Sequence, residues 1–172
     1  MSRFQFLAPV SAVILAGSLL AGCGQSEPAV TAQPNEPQMT VYKSPTCGCC
    51  EKWVDHVRSH GITVTVVDEP QMNSLKGSLG IPAELRSCHT AKIGGYLIEG
   101  HVPAPDIQRL LRERPAVDGL AVPGMPIGSP GMEMGDRLDA YTVIAFGGDQ
   151  RSDFAHHGKA EQHPETHAED QP

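Results

Sequence analysis

Four cysteines of this chain could act together. Cys47, Cys49 and Cys50 fall within four residues, and Cys88 is followed at once by His89. A thiolate is both the nucleophile of disulfide exchange and a soft metal ligand. It forms most readily where a helix begins, because free backbone N–H groups and the helix dipole lower the thiol pKa there. Cys47 and Cys50 make a C-x-x-C at such a place, after the turn Ser44-Pro45-Thr46. A disulfide oxidoreductase needs that pair alone, and the added thiol of Cys49 would invite wrong pairings. Three thiols so close together favour metal, and Gly48 permits the tight turn that lets neighbouring sulfurs converge.

Softer donors lie further along. Met125, Met132 and Met134 sit in the stretch from Pro123 to Gly135, which has too many Gly and Pro residues to make the methionines a core stripe. Thiolate, thioether and imidazole together select a soft ion, above all Cu(I), whereas Met contributes little to zinc. His101 is as well explained by packing as by ligation. His56 and His60, at i and i+4, lie on the shoulder of the face made by Cys50, Trp53, Val54 and Val57 and read as a solvated pair, and Met72 reads as core. Three other chemistries fit the same cysteines. They are two structural disulfides, a thiol oxidoreductase with Cys47 attacking and Cys50 resolving, and a structural zinc site of Cys47, Cys50, Cys88 and His89.

The elements that must position these residues follow from local pattern. Residues 40–43 form a short strand, Cys50 to His60 a helix closed by Gly61, and Ile62 to Val67 a half-buried strand. Met72, Leu75 and Leu79 share a helical face that ends at Gly80. Lys92-Ile93 and Tyr96-Leu97-Ile98 flank a two-glycine hairpin turn, and Pro105 opens a helix that stops at Arg114-Pro115. Leu120 to Val122 and Tyr141 to Phe146 are further strands on either side of the Met/Gly/Pro loop. The order predicts an α/β fold, a thioredoxin-like small mixed sheet flanked by helices, with a C-terminal strand.

The ends read differently. Arg3 followed by an uncharged apolar stretch makes residues 1–22 a signal peptide, and Leu20-Ala21-Gly22-Cys23 is similar to the lipobox of bacterial lipoproteins, which would place a lipid on Cys23. Gly24, where many lipoproteins kept at the inner membrane carry Asp, favours the outer membrane. The expected location is the periplasmic face of the envelope, an oxidising compartment in which unpaired cysteines need a metal or redox role. Residues 23–38 are the lipidated cysteine and a Pro-containing tether, 39–149 the folded domain, and 150–172 a disordered acidic tail with His156, His157, His163 and His167. The net charge of -7 becomes -8 once Arg3 leaves with the signal, twelve bases against twenty acids. With no basic cluster, nucleic-acid binding is excluded as a function class.

Four segments carry a family resemblance. Tyr42-Lys-Ser-Pro-Thr-Cys-Gly-Cys-Cys-Glu-Lys-Trp53, Ser87-Cys-His-Thr-Ala91, Gly100-His-Val-Pro-Ala104 and Gly119 to Met134 resemble, in order, the CopG-type family of bacterial envelope copper-handling proteins. The resemblance covers residues 39–149 and implies a thioredoxin-like fold, a C-x-C-C metal site and a role in copper resistance. Carried over by position, its thiols fall on Cys47, Cys49 and Cys50, its Cys-His pair on Cys88 and His89, and its Met-rich loop on Met125, Met132 and Met134. The expected function is an envelope protein that holds more than one Cu(I) in a Cys/His/Met cluster. Two modes are open, sequestration and cycling of copper between Cu(I) and Cu(II) as an oxidoreductase. Copper ions, the membrane through the lipid, and periplasmic copper carriers or copper efflux pumps are the expected partners.

Overall fold

The computed structural model describes residues 37–158. The signal peptide, Cys23, most of the tether and the tail from 159 onward, with His163 and His167, lie outside the described residues. Within them the chain runs β1 (Met39–Lys43), α1 (Gly48–Ser59), β2 (Val64–Asp68), α2 (Met72–Ser78), a 3-10 turn (Ala83–Leu85), β3 (His89–Ile93), β4 (Tyr96–Glu99), α3 (Ala104–Glu113), β5 (Gly119–Ala121), β6 (Tyr141–Gly147) and β7 (Gln150–His157). No helix among the described residues is long and apolar enough to cross a membrane.

The strands form one mixed sheet in the order β2-β1-β3-β4-β5-β6-β7. β1 pairs with β2, and β4 with β5, in parallel, while the other neighbours are antiparallel. Because side chains alternate across a strand, the sheet has two different faces. On one, Trp53, Val54 and Val57 of α1 and Ile107 and Leu110 of α3 close over Val41, Ala91, Ile98, Leu120 and Val143. On the other, Leu85, Ala121 and Phe146 form a smaller cluster with Leu97 and Ile144. This is the α/β arrangement expected from the order of elements.

α1 buries Cys50, Trp53, Val54 and Val57, one stripe at helical spacing, and ends where Gly61 takes φ +81°. Its N-cap residue is Cys47, with no side-chain cap, so the free N–H groups of the first turn belong to the cysteine segment. Gly94 and Gly95 turn the β3–β4 hairpin at φ +57° and +91°, the paired positive angles of a tight two-residue turn.

Three expectations are corrected. The domain does not stop at 149, because Gln150–His157 add a strand that pairs with β6 along its whole length. An edge strand needs few apolar side chains. Phe154 and Ala155 pack on the core, the Arg109 guanidinium lies 3.8 Å from the Phe154 ring centroid, and His157 Nε2 is 2.6 Å from Asp106 Oδ2. His56 is not a solvated histidine, since it is half-buried and its Nε2 accepts the Ala104 N–H at 3.1 Å, capping α3. Met72 is half-buried, and the buried residue of α2 is Lys76.

Candidate metal centre

Strand register brings the cysteines together. Lys43, the last residue of β1, pairs with His89, the first of β3, so the turn leaving β1 and the residue entering β3 meet at one end of the sheet. β4 returns to that end at Glu99, opposite Thr90, and delivers Gly100 and His101. β5 runs parallel to β4 and sends the Met/Gly/Pro loop out from the same end.

The Sγ atoms of Cys47, Cys49, Cys50 and Cys88 all lie within 4.8 Å of one another. Cys47 and Cys50 are joined by a disulfide, Cys49 Sγ is 3.6 Å from Cys47 Sγ, and Cys49 and Cys88 are free. The two-disulfide arrangement is thus not what the fold adopts. Cys88, His89 and His101 form a second convergent group, again within 4.8 Å, and Cys88 belongs to both.

His101 is the member that spacing alone leaves ambiguous, and its surroundings resolve its tautomer. Its Nδ1 is 2.7 Å from the Pro130 carbonyl oxygen, an acceptor only, so Nδ1 carries the proton and Nε2 a lone pair. That lone pair faces Cys88 Sγ at 2.9 Å, where the thiol donates to it. Burial, reinforced by the neighbouring Cys49, pushes the Cys88 thiol up to about 12. The second imidazole, His89, places Nδ1 3.2 Å from Cys88 Sγ and packs against Trp53 in a tilted arrangement, 4.3 Å between centroids and 44° between planes. Its Nε2 is buried without a hydrogen-bond partner. Burial pulls both imidazoles below the usual histidine range, His89 well below, so both stay neutral with lone pairs available.

Two glycines shape the walls. A Cβ on Gly100, at φ +71°, would meet Ser87 Cβ and the Val122 carbonyl at 2.6 Å, and one on Gly131, at φ +85°, would meet the Cys49 carbonyl oxygen at 2.8 Å and the Trp53 nitrogen at 2.9 Å. Gly131 therefore holds the Met loop against the first turns of α1, with Met132 next to it and half-buried. The loop is tied again where the Ser87 hydroxyl donates to the Gly124 carbonyl, immediately before Met125. Met125 and Met134 are exposed, at 52% and 56%, and Met134 is the residue of the three furthest from these ties along the chain.

Residues that the sequence reading passed over support the Cys88-His89 pair from the opposite face of the sheet. Lys76, fully buried, donates to Glu99 Oε1 at 2.5 Å and to Thr90 Oγ1 at 2.9 Å, while the Thr90 hydroxyl donates to Glu99 Oε2 at 2.6 Å. The Ser87 N–H donates to Glu99 Oε1 at 2.6 Å. One buried carboxylate therefore fixes the residue before Cys88 and the residue after His89. The signals available were a lysine on the apolar stripe of α2 and a glutamate closing an apolar strand.

A mixed sheet that gathers four sulfurs and two neutral imidazoles at one end defines a small α/β metal-binding protein. The profile of a family described as "Protein of unknown function, DUF411" matches residues 85–132. No curated protein matches the chain. It is similar to two solved forms of "Copper resistance protein copG": Form 2 at 46% identity and a TM-score of 0.69, and Form 1 at 48% and 0.67. Each comparison covers 72% of this chain and 100% of the other. The chain belongs to the CopG copper-resistance family.

Proposed function

We propose that this chain binds Cu(I) as its cargo and serves copper resistance at the bacterial envelope, tethered through Cys23. The observation that supports this reading most is the convergence of four sulfurs within 4.8 Å, sharing Cys88 with a group that adds two imidazoles. Cys47, Cys49, Cys50 and Cys88 supply bridging thiolates, enough for more than one Cu(I), and His89 caps them, with His101 beside it. Met125 and Met132 each adjoin a glycine tied to the site, which supports thioether ligation. Met134 is a weaker candidate on the same ground. Detoxification follows from holding the ion or from cycling it between Cu(I) and Cu(II), the electron passing to and from an external redox partner, and Cu(II) prefers nitrogen ligands. Periplasmic copper carriers and copper efflux pumps are the partners such a protein would exchange with.

The Cys47–Cys50 bridge supports a second reading, a thiol oxidoreductase. In that case Cys49 and the methionines are dispensable. Competition titrations with Cu(I) and Zn(II) on the full chain, repeated with Met132→Leu and Met134→Leu, test the choice. Copper binding that weakens in the variants while zinc binding does not supports the first reading. Equal indifference of both metals to the substitutions counts against it.

A further inference from the structure

The two donor groups do not respond alike to the Cys47–Cys50 bridge. With the bridge closed, two of the four sulfurs are bonded to each other, and the first group keeps only Cys49 and Cys88 as thiols. The second group, Cys88, His89 and His101, loses nothing. We infer that the Cys47–Cys50 pair sets the capacity of the site: the bridged chain holds a single copper at Cys88, His89 and His101, and opening the bridge adds the thiolates that raise capacity above one ion. This inference rests on the copper reading above and deepens it.

Geometry prepares the second group to act alone. The Pro130 carbonyl fixes the His101 ring so that the Nε2 lone pair meets Cys88 Sγ. Outer acceptors of this kind orient metal-binding histidines. His89 contributes a fully buried imidazole with one nitrogen at Cys88 and the other unpartnered. Gly100 has no Cβ, so His101 can follow a left-handed residue packed against Ser87 and Val122. Cys49 joins Cys88 in the first group and not in the second. One thiolate with two imidazoles is a donor set that copper accepts in both oxidation states, whereas an all-thiolate set selects Cu(I).

The step between the two states balances. An external dithiol reduces the bridge by exchange: the Cys47–Cys50 S–S bond breaks, both sulfurs become thiols, and the dithiol leaves as its own disulfide with its two protons transferred. Binding of a metal ion at Cys88 releases the thiol proton to solvent.

The test uses the full chain in its bridged form, confirmed by counting three free thiols, Cys23, Cys49 and Cys88, or two where Cys23 carries its lipid, with Co(II) as a probe that does not itself exchange electrons with the disulfide. One Co(II) per chain is expected, with a thiolate-to-metal absorption band that is lost in Cys88→Ser and retained in Cys49→Ser. Affinity is expected to fall at least about ten-fold in His101→Gln and in His89→Gln. After reduction by a dithiol, Cu(I) capacity is expected to rise above one. A bridged chain that takes neither Co(II) nor Cu(I), while the reduced chain takes several Cu(I), overturns this inference and leaves the copper reading standing. Failure to bind copper in either form overturns both. A band unchanged in Cys88→Ser, or affinity indifferent to both histidine variants, also overturns the inference. The wild-type spectrum keeps the test decisive if a variant does not fold.

Discussion

Cys88 Sγ lies 2.9 Å from His101 Nε2, across 13 residues of sequence, and the far nitrogen of the same ring is held by the Pro130 carbonyl. A proton occupies the line between sulfur and nitrogen in the metal-free protein. The same line is where a soft ion would find a thiolate and a lone pair already aimed.

Cys88 therefore makes stability depend on alkaline pH. The unfolded chain ionises this thiol near its ordinary value of 9.0 and the folded chain near about 12, so between the two the unfolded state binds fewer protons. Stability should fall as pH rises through that window. Thermal unfolding of metal-free protein should show a shallower decline in Cys88→Ser. Tyr141, also pushed up to about 12 by burial, keeps part of the slope.

Trp53 is the chain's single tryptophan, so its fluorescence reports the site directly. It packs tilted against His89 and donates to the Val102 carbonyl at 2.9 Å. Metal loading at His89 should change its emission. Trp53→Phe should cost about 1–3 kcal/mol in urea unfolding, since the Val102 acceptor is left buried without its donor.

The loop contact at Gly131 admits no side chain. Gly131→Ala would force a methyl against the Cys49 carbonyl and the Trp53 nitrogen at a positive φ. About 1–3 kcal/mol of destabilisation is expected. Metal retention should weaken as the Met loop lifts from α1, measurable by chelator competition on the same preparation.

The Lys76–Glu99 pair is fully buried on both sides. Removing one partner leaves an uncompensated charge, so Lys76→Met or Glu99→Gln alone should cost about 3–5 kcal/mol. A double apolar replacement should recover much of that. Denaturant unfolding of the two single variants and the double variant checks the coupling.

How much of this was legible depended on distance along the chain. The C-x-C-C, the short strand before it, the helix it opens and the glycine hairpin turn are local, and local pattern found them. His101 was ambiguous because the atom that fixes its ring belongs to Pro130, 29 residues away. The Lys76–Glu99–Thr90 network is assembled by sheet pairing and a helix crossing, so no periodicity announces it. β7 was missed because an edge strand is held by backbone pairing to β6 with little apolar burial. His56 looked solvated because its partner is the backbone of α3, which only packing brings near.

The measurement closest to the central claim is the Cu(I) stoichiometry of the reduced full chain, taken anaerobically by titration with metal analysis, alongside Cys49→Ser. More than one Cu(I) is expected to bind tightly per chain, with a lower capacity in the variant. No copper retention, together with a reversible Cys47–Cys50 disulfide that survives the Cys49 substitution, would contradict it and leave a thiol-exchange protein.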